Sequence, residues 1–172
     1  YGAEITLPSD PSKEGYTFIG WSPVVAATVP ANDVTYVANF KVNQYKVTFT
    51  SDDVTVSELT LDYGTQIVIP ADPAKEGYTF TGWSPEVAET VPAADVVYAA
   101  VFSVNKYTYS FVVDGQTVKT DEAEYGSSVV IPDDPSKEGY SFDGWTPSVD
   151  DPMPAHDVTF TAMFSKGAYK VT

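Results

Sequence analysis

Trp21, Trp83 and Trp145 stand 62 residues apart, each behind a glycine, Gly20, Gly82 and Gly144. An indole face stacks on sugar rings and its N–H donates a hydrogen bond, so Trp83 and Trp145 are candidate ligand contacts. The competing reading makes each Gly-Trp pair a core anchor, the glycine permitting a bulge or a close backbone approach. The same flanking apolar pattern accompanies every copy and favours the anchor. Lys13, Lys75 and Lys137 recur in an unchanged Lys-Glu-Gly triplet. A lysine amine can be joined to an Asn or Asp side chain when a buried acid shuttles the proton. The recurrent acids are Asp10, Asp72 and Asp134, then Glu14, Glu76 and Glu138, then Asp33, Asp95 and Asp157. Asn43 and Asn105 give way to Gly167 in the third copy, which breaks an Asn-based cross-link. The aspartates stand beside Pro or just after Pro-Ala, where turns and caps use them.

Asp133, Asp134, Asp143, Asp150 and Asp151 invite a calcium site, which needs six to eight oxygens gathered in one loop. The grouping does not recur: Asp143 aligns with Ile19 and Thr81, and Asp150 with Ala26 and Ala88. A solvated acidic surface is the reading retained. His156 is the single histidine and aligns with Asn32 and Ala94. With no G-x-S-x-G, no phosphate loop and no dinucleotide fingerprint, it completes no catalytic constellation. No catalytic, cofactor or metal residue is assigned, and the chain is expected not to be an enzyme.

Composition bounds the partners. The 172 residues are 43% hydrophobic and 14% aromatic, ample for packed cores, and only 19% charged. Nine lysines, without arginine, face 24 acids for a net charge of −15. That balance disfavours nucleic acid, whose phosphates need basic patches, and anionic lipid equally. The absence of cysteine excludes a disulfide, a thiol nucleophile and a thiolate zinc site. No apolar run approaches the ~20 residues of a membrane span, so direct insertion is not expected. The sequence opens at Tyr1-Gly2 with neither an initiator Met nor a signal peptide, and reads as an excerpt of something longer.

The elements that position these residues come as a tandem array. DPSKEGYTFIGWSP from Asp10 returns as DPAKEGYTFTGWSP from Asp72 and DPSKEGYSFDGWTP from Asp134. YGAEITLP, YGTQIVIP and YGSSVVIP precede them at Tyr1, Tyr63 and Tyr125. DVTYVANF, DVVYAAVF and DVTFTAMF follow at Asp33, Asp95 and Asp157. Tyr45, Val47 and Phe49 match Tyr107, Tyr109 and Phe111, and Tyr169 begins the pattern again. The expected organisation is the C-terminal part of a repeat at 1–43, complete repeats at 44–105 and 106–167, and the start of a further one at 168–172. Each complete repeat carries −7, and like-charged neighbours favour an extended, soluble string.

Within a repeat the apolar period is two, the mark of strands. In the second repeat, strands are expected at 45–50, 54–61, 65–69, 78–83 and 95–103, with at most one helical turn at 72–76, where Pro73 suits a first helical position. A unit this small buries only ~60% of its extended-chain surface, so aromatics must carry the core. The assigned anchors are Trp21, Trp83 and Trp145; Phe18, Phe80 and Phe142; and Phe40, Phe102 and Phe164.

The order YKVTF, then YG, then P-x-DP-x-KEGY-x-F-x-GW-x-P, then PA-x-DV-x-Y-x-A-x-F resembles the Listeria–Bacteroides repeat family, the internalin B-repeat-like tandem domains of bacterial surface proteins. The closing aromatic is Phe here, where that family often has Trp. The resemblance implies mainly β, β-grasp-like, ubiquitin-related small domains with little helix. It also implies tandem arrays in extracellular or cell-surface proteins of bacteria. The expected role is a non-enzymatic stalk or spacer that forms an extended fibre by strand complementation, its partners being neighbouring repeats of the same or an adjacent chain. The alternative is an adhesion module binding a surface glycan or a host protein. Residues 1–43 lack counterparts of 45–62, so Ile5, Leu7, Tyr36 and Phe40 are expected to face an open core beside an unpaired strand edge.

Overall fold

The period-two alternation produces strands along the whole chain. The computed structural model describes residues 1–167. Its strands are β1 (Tyr16–Ser22), β2 (Val37–Val42), β3 (Gln44–Ser51), β4 (Val54–Asp62), β5 (Tyr78–Ser84), β6 (Val96–Val104), β7 (Lys106–Val113), β8 (Gln116–Glu124), β9 (Tyr140–Thr146) and β10 (Val158–Lys166). No helix forms among the described residues. The strands make one two-stranded sheet, β1-β2, and two four-stranded sheets, ordered β4-β3-β6-β5 and β8-β7-β10-β9. The chain separates into two compact units, Tyr1–Pro73 with Gly82–Val101, and Ala74–Thr81 with Phe102–Thr172.

The two larger sheets are built alike. β3 and β4 form a hairpin closed by Asp52 and Asp53, at φ 47° and 62°; β7 and β8 close through Asp114 and Gly115, at 47° and 79°. Two central residues at positive φ give the turn whose twist matches that of paired strands. The later strand of each repeat then returns parallel to the hairpin's first strand. Phe49 lies opposite Tyr98, and Phe111 opposite Phe160. Alternation turns the apolar residues of this central pair into the core. One core gathers Val47, Phe49, Ile67, Val91 and Tyr98, with Trp83 against it; the other gathers Tyr109, Phe111, Val129, Trp145, Met153 and Phe160. Phe49 meets Trp83 edge-on at 4.9 Å between centroids, and Phe111 meets Trp145 at 4.7 Å. Truncating one such ring to alanine costs roughly 3–5 kcal/mol.

Among the described residues the first repeat has β1 and β2 with no hairpin beside them. The counterparts of Val96, Val97 and Tyr98 are Val34, Thr35 and Tyr36, and these three are not in a strand. Val96 and Tyr98 are held in register by Val47 and Phe49 of β3, and among the described residues no such strand lies beside Tyr36. Leu7 is consequently 53% exposed, and Ile5, Leu7, Trp21 and Tyr36 line a shallow apolar cleft.

Two local expectations are corrected. Residues 65–69 are not a strand: Gln66 forms a lone bridge to Thr90, flanked by Ile67 N–H to Glu89 O and Val91 N–H to Thr65 O. The segment reaches the core through Ile67 alone, while Val68 and Ile69 are exposed. Its pattern satisfies one anchoring residue and Pro70 stops it. No helical turn forms at 72–76 either. Tyr78 N–H bonds to Lys75 O across a tight turn in which Gly77 takes φ 76°, so the chain reverses straight into β5. The expected segment at 168–172 lies outside the described residues.

Candidate functional site

The feature that recurs most faithfully is a joint. Gly15 and Gly77 each precede the tyrosine that opens β1 and β5, and both adopt positive φ, 73° and 76°. A β-carbon on Gly15 would overlap the ring of Tyr63; one on Gly77 would overlap that of Tyr125. The tyrosine of a Tyr-Gly pair thus seats on the glycine of the preceding repeat's Glu-Gly pair. Tyr63 presents its ring edge-on to Tyr16 at 6.0 Å and 76°, and Tyr125 to Tyr78 at 5.9 Å and 78°.

One asparagine ties each joint. Asn43 N–H donates to Gly15 O at 2.9 Å while its carbonyl accepts from Tyr63 N–H at 2.8 Å. Asn105 repeats this with Gly77 and Tyr125, at 2.8 and 2.9 Å. The side chains match too. Asn43 Oδ1 accepts from Thr17 and its Nδ2 donates to Tyr45 Oη; Asn105 does the same with Thr79 and Tyr107. The seated tyrosine is presented by its own glycine. Gly64 N–H bonds to Val91 O at φ 77°, and Gly126 N–H to Met153 O at φ 76°. These partners are far apart in sequence; the recurrence of Lys-Glu-Gly, of Tyr-Gly and of Asn43 as Asn105 marked the residues but not that they meet.

Lys13, Lys75 and Lys137 border the same place. Their Nζ atoms stand 3.9, 4.6 and 5.1 Å from the ring centres of Tyr16, Tyr78 and Tyr140. They also approach Phe40, Phe102 and Phe164 at 5.8, 5.4 and 5.4 Å. An ammonium over a ring face gains from the ring quadrupole, which is a reason for the constant lysine that needs no cross-link. Lys137 also pairs with Asp114 through two partly exposed side chains. The aromatic closers form a repeated edge-on pair, Phe18 with Phe40, Phe80 with Phe102 and Phe142 with Phe164, at 5.8, 5.8 and 5.7 Å.

The tryptophans lie elsewhere. Trp145 is 7% exposed and its Nε1 is buried with no hydrogen-bond acceptor among the described residues. Trp83 is half-buried against Phe49, and Trp21, beside Phe18 at 5.5 Å, borders the cleft of the first repeat. Behind them the strand carries a bulge at Gly20, φ 120°, and at Gly144, φ 119°. Asp95 and Asp157 act as clamps, each accepting at 2.8 Å from the backbone N–H of Lys46 or Thr108 at the start of the parallel strand. His156 is an exposed residue whose Nδ1 lies 2.8 Å from Asp157 O. Among the described residues no three acids or histidines converge as a metal site would require.

A joint made of the same residues at successive boundaries is the property of a repeat family, and one family model matches residues 1–40, 45–97 and 107–163: the Listeria-Bacteroides repeat domain. The chain belongs to the Listeria-Bacteroides repeat family. Among its relatives are a putative membrane protein of Evansella cellulosilytica, 34% identical over 163 residues, and a putative Gly-rich membrane protein of the same organism, 33% identical over 163 residues. Each alignment covers 84% of this chain, but only 24% and 19% of those proteins. Internalin H of Listeria monocytogenes is 35% identical over 115 residues, 56% of this chain and 21% of that protein. This Listeria-Bacteroides repeat chain therefore spans about a quarter or less of these relatives. Among solved structures, streptococcal high identity repeats in tandem, domains 3-4 of a cell surface protein, cover 72% of this chain and 99% of theirs at 20% identity. The TM-score is 0.30, a likeness too distant to bear on the fold.

Proposed function

We propose that the chain is a non-enzymatic spacer, a run of β-grasp-like repeats that carries another part of a bacterial cell-surface protein away from its attachment. The observation that supports this best is the joint: the same ring, glycine and asparagine recur at both repeat boundaries. A recurrent joint fixes one repeat against the next, and length then follows from copy number. The β-grasp reading is supported by the central parallel pair within each four-stranded sheet, β3 with β6 and β7 with β10. Surface location is supported by the relatives, two of them named as putative membrane proteins and one as an internalin. The seating of Trp145 in a core supports the anchor role over a glycan contact, since stacking on a sugar needs an indole face open to solvent.

Small-angle scattering on chains with increasing numbers of the 44–105 repeat tests the proposal. Each added copy is expected to lengthen the particle by roughly 25–35 Å, the breadth of a compact unit of this size. A maximum dimension that stops growing after the second copy overturns it.

A further inference from the structure

The joint at Asn43 leaves a polar cleft of about 790 Å³ beside it. Thr17 and Lys41, partners across β1 and β2, border one side, and Gln44 and Asp62, partners across β3 and β4, the other. Asn43 and Tyr45 make the corner between them. Small-molecule sites commonly measure ~300–1,000 Å³. In the third repeat the hairpin tip reaches Lys137 through Asp114, on the face of Tyr140 and Phe164. Thr17 and Lys41 alternate with Tyr16 and Phe40 and so lie on the opposite face, which a hairpin placed in that way leaves open.

The polar groups of the cleft hold one another in place. Asn43 Oδ1 accepts from Thr17 Oγ1, its Nδ2 donates to Tyr45 Oη at 3.4 Å, and Gln44 Nε2 donates to Asp62 Oδ1 at 2.9 Å. Each residue keeps hydrogen-bonding capacity beyond these contacts: the second Nδ2 proton of Asn43, the Tyr45 hydroxyl proton, the Gln44 carbonyl and the second Asp62 oxygen. The Lys41 ammonium pairs with no acid among the described residues. Groups already fixed in this way lose little freedom on binding.

The joint itself does not need all of them. The second joint keeps Thr79, Asn105 and Tyr107 with the same two side-chain bonds. It has Ser103, Lys106 and Glu124 where the first has Lys41, Gln44 and Asp62. Those three residues are therefore free to serve something other than the joint.

We propose that the cleft beside Asn43 binds a neutral saccharide. A sugar hydroxyl both donates and accepts, which suits a wall that offers amide, carboxylate, ammonium and phenol groups side by side. Neighbouring hydroxyls can donate to the Gln44 carbonyl and the open Asp62 oxygen, while Lys41 and Asn43 donate in return. Asp62 and the net charge of −15 disfavour an anion, and Lys41 disfavours a cation. No tryptophan lines the cleft, so the site is separate from the indoles. The proposal does not rest on the spacer reading. An open cleft with few contacts implies weak binding, with a Kd on the order of 1 mM.

Amide NMR titration of the full chain tests it, with maltotriose, cellotriose and chitotriose as probes, each taken to about 10 mM. At least one is expected to give saturable shifts at Asn43, Gln44, Tyr45 and Asp62, while Asn105, Lys106, Tyr107 and Glu124 stay in place. The triple variant Lys41→Ser, Gln44→Lys, Asp62→Glu rewrites the first cleft as the second joint, a combination this chain already accommodates. It is expected to weaken binding by about tenfold or more, the worth of one hydrogen bond to a charged group. No saturable shift with any of the three sugars overturns the proposal. So does a triple variant that binds as tightly as wild type, or equal shifts at both joints. Shifts confined to the neighbours of Trp83 also overturn it and would assign the sugar to the indole.

Discussion

The ring of Tyr125 fills the space in which a side chain on Gly77 would begin. The glycine is thus required twice, by its φ of 76° and by a ring from the next repeat. Gly64 takes nearly the same φ, 77°, with nothing near its missing β-carbon. Comparing the two separates strain from overlap. Gly64→Ala is expected to lose only the positive-φ penalty, about 1 kcal/mol. Gly77→Ala is expected to lose a further ~1–3 kcal/mol for forcing the ring aside. Urea denaturation of both variants measures the difference; equal losses would show that the ring moves away freely.

Trp83→Ala should remove the indole that packs on Phe49 and cost the second repeat roughly 3–5 kcal/mol. Because repeats act mainly through nearest neighbours, the third repeat should stay largely folded. Hydrogen exchange resolved along the chain is the measurement. A single loss of protection across both repeats would show that the joints couple them into one cooperative body.

Asp95 should matter where Asp33 does not. The Asp95 carboxylate receives Lys46 N–H at the start of β3, whereas Asp33 makes no hydrogen bond among the described residues. Asp95→Ala is expected to cost about 1 kcal/mol, its bond being solvent-exposed, and Asp33→Ala close to nothing. Thermal melts of the two variants decide it, and equal shifts would refute the clamp.

Calcium should act as a screening ion only, since no acidic cluster of metal-holding geometry occurs among the described residues. Titration calorimetry is expected to show no stoichiometric heat at micromolar calcium, and the melting temperature to stay unchanged. A stoichiometric heat with a rise of several degrees would contradict this.

The strands could be read along the chain because their cause is local. Alternation in Tyr45, Val47 and Phe49, or in Val96, Tyr98 and Phe102, places apolar side chains on one face whatever the partner strand, and the observed strands lie within about a residue of the expected ranges. Recurrence over three copies likewise made the repeat and its family legible. Residues 65–69 misled for the converse reason: Ile67, Val68 and Ile69 alternate poorly with their surroundings, and whether such a run pairs depends on the partner backbone it meets. The joint was hidden more deeply. Gly77, Asn105 and Tyr125 are each ordinary turn or strand-end residues in their own stretch of chain, and nothing local says that one will seat on another. The role of Lys75 was non-local in part, because besides Tyr78, three residues on, its ammonium approaches the ring of Phe102 in β6. Periodicity sets which way a side chain points. Which distant side chain it meets depends on the order of the strands in the sheet, and that order exists only once the hairpin and the returning parallel strand have packed together.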